Sequence, residues 1–128
     1  MTALGNNAHI FARPSRRAAL LRCFEALAGS EAVATVDYPG IALPMLVVRF
    51  PADGNLSIEF TDRAPDDDEP RLGAWLESRS GDAGGDPAAL PRKALQAGLT
   101  EVTHPGHPYF FTAPGGQVFT IAPLPPRS

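Results

Sequence analysis

Apolar and polar residues alternate along several short stretches of this chain, and prolines and glycines separate the stretches from one another. Alternation with a period of two residues is typical of a β-strand that buries one face. The pattern predicts strands at 8–13, 32–38, 42–50, 56–61, 73–79, 100–103, 108–112 and 117–122. A sheet-rich fold with short connections is therefore expected.

One segment of the first half has helical spacing instead. Leu20, Phe24 and Leu27 recur at intervals of four and three residues, which places them on one face of a helix over 16–28. Ser15 precedes this segment, and serine is a residue type that caps helix N-termini, so we expect it to cap this helix. The first half is thus predicted to run strand, helix and three strands.

A second helix is expected at the corresponding place in the second half. Asp86 is predicted to cap it, and Gly98 follows its last residue. Because Pro91 has no backbone N–H to donate, the helix should begin late or kink near this residue. With this helix in place, the second half repeats the element order of the first.

The repeated order indicates an internal duplication within a single domain, with one module over about 8–61 and another over about 72–122. Between them, the segment 62–70 is acidic and contains prolines, and we interpret it as a solvated linker. Glu59 and Thr120 each lie between two apolar residues of the last strand of their module. They should therefore occupy equivalent faces of equivalent strands.

Composition narrows the class of protein. The chain has 128 residues and a net charge of −3 without a basic cluster, so we expect one domain and no nucleic-acid partner. Its single cysteine, Cys23, excludes an intrachain disulfide and lies on the apolar face of the first predicted helix, where a buried, inert thiol is expected. No signal-peptide pattern and no membrane-spanning apolar run is present, so a cytoplasmic protein without a membrane partner is expected.

The chain resembles the vicinal oxygen chelate superfamily, which includes glyoxalase I, extradiol dioxygenases and bleomycin-resistance proteins. The resemblance covers roughly residues 8–122 and rests on the order of four motifs, HIFARPS, LSIEF, GAWLES and APGGQVFTI. It implies an α+β fold in which two tandem βαβββ modules form curled mixed sheets around a cup-shaped cavity that holds the ligand. It also implies a homodimer, because small members of this family commonly pair.

The metal enzymes of this family take one ligand from the opening strand and one from the closing strand of each module. By this resemblance His9 and Glu59 match the two ligand positions of the first module. In the second module the matching positions fall at or beside Trp75 and on Thr120, neither of which is a usual metal ligand. Since a catalytic metal generally needs three protein donors, we expect no bound metal and no cofactor.

Two other arrangements stay open at this stage. Glu77, His104 and His107 could rebuild a metal site with two histidines and one carboxylate. Alternatively, His9 could act as a general base that Glu59 orients. Either arrangement would make the protein a lyase, an isomerase or a dioxygenase.

The aromatic residues favour a binding protein over these enzymes. Trp75 and one residue of the Phe110/Phe111 pair are expected to face the cavity, whereas Phe119 is expected in the core. The polar residues expected to line the same cavity are Arg13, Glu59, Glu77, Arg79 and Thr120. Apolar walls with a few polar groups are typical of small-molecule sites, so we expect a metal-independent protein that binds a small, partly aromatic ligand.

Overall fold

The computed structural model describes residues 1–80, 86, 88–105 and 110–123 of the chain. The chain divides into two compact units, Met1–Asp66 and Asp67–Ser128, and the division falls inside the acidic segment 62–70. Each unit contains one four-stranded sheet.

The first unit has one helix and four strands, which we label in chain order. They are β1 (Asn7–Ala12), α1 (Arg17–Ala28), β2 (Val33–Val36), β3 (Met45–Arg49) and β4 (Asn55–Phe60). The strand order in the sheet is β1-β4-β3-β2, with β1 parallel to β4 and the other pairs antiparallel. The parallel pair is possible because α1 and two further strands separate β1 from β4 along the chain.

One face of this first sheet is apolar and packs with α1. Its strands contribute residues that are almost fully buried, namely Leu46, Val48, Leu56, Ile58 and Phe60. On the helix, Leu20, Cys23 and Phe24 are buried, as the spacing predicts, whereas Leu27 is only half-buried. The opposite face of the sheet carries polar and exposed side chains, including His9 and Phe11.

The second unit repeats this arrangement. Its elements are β5 (Trp75–Ser80), α2 (Ala89–Gln96), β6 (Thr100–Val102), β7 (Phe110–Thr112) and β8 (Val118–Pro123). The strand order is β5-β8-β7-β6, and β5 runs parallel to β8 as β1 does to β4. The predicted α+β fold of two βαβββ modules with mixed sheets is therefore confirmed.

The prediction that Ser15 caps α1 is wrong. Ser15 lies inside a short 3-10 helix, Pro14–Arg16, that precedes α1, and no side chain caps α1 at Arg16. The reason is Pro14, whose fixed φ is suited to the first position of a helical turn and starts the turn before Ser15 is reached.

The late start predicted for the second helix is confirmed. Because α2 begins at Ala89, Pro91 is its third residue, where a backbone N–H would have no acceptor within the helix. The prediction that Asp86 caps this helix is wrong, because the N-cap is Ala88 and no side chain caps it; Asp86 lies two residues earlier, and its Oδ1 accepts a hydrogen bond from the Ala88 N–H. A hydrogen bond from Arg92 lowers the pKa of Asp86. Within the described residues, no helix is long and apolar enough to span a bilayer.

Several strands are shorter than predicted. The strand expected over 42–50 begins only at Met45, directly after Pro44, whose ring fixes φ and removes a donor. The strand expected over 32–38 is Val33–Val36. Of the strand expected over 108–112, Phe110–Thr112 is observed, and 108 and 109 lie outside the described residues. In each case the centre of the strand is where the alternation predicts it.

Cys23 is buried, as its place on the helix predicts. The residue is 1% exposed, and burial raises the pKa of its thiol to about 12. A thiol in this state carries almost no thiolate at neutral pH, so Cys23 is a core residue and not a nucleophile.

Candidate functional site

The face of the first sheet opposite α1 carries a histidine–glutamate pair. In the parallel pairing of β1 with β4, His9 lies beside Ser57 and Phe11 lies beside Glu59. The His9 ring donates through Nε2 to Oε1 of Glu59 over 3.0 Å. The two side chains are 42% and 26% exposed, and the Phe11 ring meets the His9 ring edge to face at 5.1 Å between centroids.

The second sheet has the same register with different residues. Trp75 lies beside Val118, and Glu77 lies beside Thr120. Trp75 therefore stands in the second sheet where the first sheet has its histidine, and Thr120 stands where the first has its glutamate. The sheet pairing thus places both residues on one face, as the repeat predicts.

Three rings form a compact group on this part of the second sheet, and we call it the aromatic cluster: Trp75, His104 and Phe110. The centroid of Trp75 lies 4.9 Å from that of Phe110 and 5.1 Å from that of His104. The rings of His104 and Phe110 are 5.5 Å apart. In all three pairs the ring planes are steeply inclined to each other, which is a favourable geometry for aromatic pairs.

The indole of Trp75 is held in place by the backbone of Arg71. Its Nε1–H donates to the Arg71 carbonyl oxygen over 2.6 Å. Arg71 is itself fixed, because its N–H donates to Gly116 O, its Nε to Gly115 O and its Nη2 to Asp67 Oδ1. The orientation of the Trp75 ring therefore depends on a residue outside the strand.

The acidic segment between the modules takes part in the same network. Oδ1 of Asp68 accepts a hydrogen bond from the Gly115 N–H over 2.7 Å, in the turn between β7 and β8. Next to it, Gly116 has a φ of +92°, and a Cβ there would collide with the carbonyl oxygen of Glu69. Most of the segment 62–70 is exposed, although Ala64 is buried, and at its C-terminal end the segment also fixes the turn.

Thr120 lies between two side chains of the same face. Its neighbour on β7 is Phe110, and its neighbour on β5 is Glu77. Its carbonyl oxygen accepts a hydrogen bond from Ser78 Oγ over 2.7 Å. Its hydroxyl oxygen is buried, and no residue in the described part of the chain gives it a hydrogen-bond partner.

The other predicted site residues have varied positions. Glu77 forms an ion pair with Arg79, with 2.8 Å between Oε1 and Nε, and both side chains are largely exposed. Arg13 donates through Nε to the Ala64 carbonyl oxygen over 2.6 Å, so this nitrogen links the end of β1 to the segment after β4. Phe111 lies on the opposite face from Phe110, is 1% exposed and is paired with Phe119.

Phe119 is buried, as predicted. His107 and Tyr109 lie outside the described residues. His104 was predicted only as an alternative metal ligand, and its place in the aromatic cluster was missed. Arg71 was missed altogether, because its role depends on backbone hydrogen bonds that leave no pattern in the sequence.

The residues at the implied ligand positions of the second sheet do not fit a metal. An indole Nε1 has a hydrogen and no free electron pair, and that of Trp75 already donates to Arg71. Thr120 offers a neutral hydroxyl in place of a carboxylate. Across residues 1–80, 86, 88–105 and 110–123, no three His, Cys, Asp or Glu side chains come together in a group that could hold a metal ion.

Comparison with known proteins gives the fold class. No family model matches the sequence, and no curated protein matches it. Solved structures of vicinal oxygen chelate proteins do match, over most of the chain and of their own length. The fold is that of the vicinal oxygen chelate superfamily, as the resemblance in sequence implied.

Three of these structures show the range of the match. The fosfomycin resistance protein FosX from Mesorhizobium loti has a TM-score of 0.57 at 14% identity, covering 94% of this chain and 90% of its own. A glyoxalase/bleomycin resistance protein from Albidiferax ferrireducens has a TM-score of 0.57 at 14% identity, with 96% and 100% covered. TnmS3, an antibiotic binding protein from a Streptomyces species, has a TM-score of 0.52 at 15% identity, with 97% and 98% covered.

Proposed function

We propose that this chain is a metal-independent small-molecule-binding protein of the glyoxalase/bleomycin-resistance type, which holds a small, partly aromatic ligand. The observation that carries the proposal is the aromatic cluster of Trp75, His104 and Phe110 on one face of the second sheet. A flat, polarisable indole stands where the metal enzymes of this fold place a ligand to the metal. The site has thus exchanged a metal donor for a stacking surface.

The polar groups beside the cluster support the same proposal. Thr120 and the Glu77–Arg79 pair lie on the face that bears Trp75 and Phe110. Ligand sites typically combine aromatic walls with a small number of placed polar groups that fix the orientation of the ligand. Two of the proteins with matching structures, an antibiotic binding protein and a fosfomycin resistance protein, are in keeping with this class of function.

The experiment is a screen of planar aromatic compounds against the purified protein. Binding is read by thermal shift and by intrinsic fluorescence, because Trp75 is the single tryptophan of the chain and reports on its own surroundings. A compound that binds at the cluster should raise the melting temperature and change the Trp75 emission together. Compounds that raise the melting temperature while the emission stays constant would place the site elsewhere.

Metal independence makes a separate prediction. Purified protein should carry far less than one equivalent of Zn, Ni, Fe or Mn by elemental analysis, because Trp75 and Thr120 replace two of the four donors. His9→Ala should leave this low content unchanged. Near-stoichiometric metal that is lost in His9→Ala would show that the histidine–glutamate pair does hold a metal.

The partner we propose, besides the ligand, is a second copy of the chain. In the described part of the chain β2 and β6 are edge strands of their sheets, and pairing between protomers is a common way to cover such edges. Light scattering at tens of micromolar should give twice the mass of one chain. A mass of 13.5 kDa under those conditions would contradict the homodimer.

A second candidate function is favoured by the 3.0 Å contact between His9 and Glu59. When the ring donates its Nε2–H to the carboxylate, its Nδ1 carries a free electron pair and can accept a proton from a bound molecule. The protein would then be a lyase or isomerase that needs no metal. Exchange of a ligand C–H proton in D2O, followed by NMR, tests this, since Glu59→Gln should slow the exchange without loss of ligand binding.

A further inference from the structure

Among the described residues of the second sheet, the hydroxyl of Thr120 is a polar group that the fold does not explain. Its oxygen is buried, yet none of the described side chains or backbone groups forms a hydrogen bond with it. A buried hydroxyl without a partner is destabilising, and most such groups in folded proteins do have one. A group of this kind calls for an explanation, and a partner that binds from outside the chain is one.

A second threonine on the same face provides the contrast. Thr112 is also buried, and its Oγ1 donates to the Thr100 carbonyl oxygen over 3.4 Å. A threonine in this sheet can therefore satisfy its hydroxyl through a neighbouring strand. Thr120 does not, although its own carbonyl accepts a hydrogen bond from Ser78.

The surroundings of Thr120 indicate what could meet its hydroxyl. Phe110, a member of the aromatic cluster, is its direct neighbour on β7, so a ring stacked on the cluster would place its substituents near Thr120. On the other side of Thr120, on β5, the Glu77 carboxylate forms an ion pair with Arg79. The two charges cancel, so this pair places no net charge beside the Thr120 hydroxyl. A neutral substituent is therefore favoured over an anionic one.

We infer that Thr120 hydrogen-bonds an oxygen atom of the ligand, and that the ligand is a neutral planar aromatic compound with a carbonyl or hydroxyl group on its ring. This inference rests on the proposed function, since it names the chemistry of the ligand at the same site. Because the hydroxyl is buried, a ligand can reach it only if a neighbouring side chain, such as Phe110 on β7, changes its rotamer, and such side-chain changes are common on binding. No bond is made or broken in this step.

The first experiment needs no ligand. Thr120→Val keeps the shape of the side chain and removes the unsatisfied hydroxyl, so its urea unfolding midpoint should equal or exceed that of the wild type. Thr112→Val, the matched control, removes a hydroxyl that has an acceptor, and its midpoint should fall. If the urea unfolding midpoint falls as far in Thr120→Val as in Thr112→Val, the Thr120 hydroxyl already has a partner without the ligand and the inference is wrong.

The second experiment uses naphthalene, 1-naphthol and 1-naphthoate as probes of one ring system with different substituents. The wild type should bind 1-naphthol about three- to tenfold more tightly than naphthalene, which is the range of a single neutral hydrogen bond. It should bind 1-naphthoate less tightly than 1-naphthol. Thr120→Val should lose the preference for 1-naphthol and keep its affinity for naphthalene, whereas Thr112→Val should keep the preference.

The outcomes separate this inference from the function on which it rests. If the wild type binds naphthalene and 1-naphthol equally, or if Thr120→Val keeps the preference, the inference is wrong while the binding function stands. If none of the three compounds binds, both are contradicted for ring systems of this size. A gain in stability on Thr120→Val together with a loss of selectivity is the result that supports the inference.

Discussion

Replacing Trp75 by alanine should weaken the binding of planar aromatic compounds by about tenfold or more. The substitution removes the largest ring of the aromatic cluster, which contacts both Phe110 and His104. Truncation of an aromatic residue in a binding site loses buried area, and stacking contributes about 0.5–1.5 kcal/mol beyond that area. Binding is measured by thermal shift, since this variant has no tryptophan emission.

Two further variants control for this result. Trp75→Phe loses the hydrogen bond to Arg71 but keeps an aromatic ring. Because the ring supplies the stacking surface, this variant should retain most of the affinity. Tyr38→Ala removes an exposed aromatic residue of the first unit and should change nothing. If Trp75→Ala binds the same compounds as tightly as the wild type, Trp75 is ordinary packing and the site lies elsewhere.

Gly116→Ala should lower the free energy of unfolding by about 2–5 kcal/mol. A non-glycine residue at a φ of +92° is strained by about 1–2 kcal/mol, and the collision of the added Cβ with the backbone of Glu69 costs about 1–3 kcal/mol more. Because the colliding atom belongs to the main chain, it can yield only if the segment moves away from the turn. The loss is measured by urea unfolding.

Gly98 provides a matched control in the same unit. Its φ is +98°, but a Cβ there would meet nothing within 4 Å. Gly98→Ala should therefore cost only the conformational strain, about 1–2 kcal/mol. Equal losses for the two variants would show that the contact between Gly116 and the acidic segment does not contribute to stability.

Most of the fold could be predicted from the sequence, because it depends on local patterns that recur. Alternation gave the strand centres, and the helical spacing of Leu20 and Phe24 gave α1 and its buried face. The predictions that failed concern the ends of elements, where neighbouring residues compete to set the boundary. Pro14 starts a 3-10 turn before Ser15 can cap a helix, and Pro44 shortens β3.

Part of the candidate site could be predicted for the same reason. The repeat alone relates Trp75 to His9 and Thr120 to Glu59, and the register of the two sheets agrees with it. The contacts of His104 could not be predicted, because they depend on the path of the chain between β6 and β7. Those of Arg71 involve the backbone carbonyl oxygens of Gly115 and of Arg71 itself, and every residue type carries such a group.

The hydrogen bonds that run from the acidic segment to the second sheet bear on how this protein can be divided. By strand boundaries alone, a second module would start near residue 72. A fragment cut there would lack Asp67, Asp68 and Arg71, which together fix the turn before β8 and the indole of Trp75. Any truncation, chimaera or exchange of modules that aims to preserve the second sheet with its indole in place must therefore carry residues 67–71 along with it.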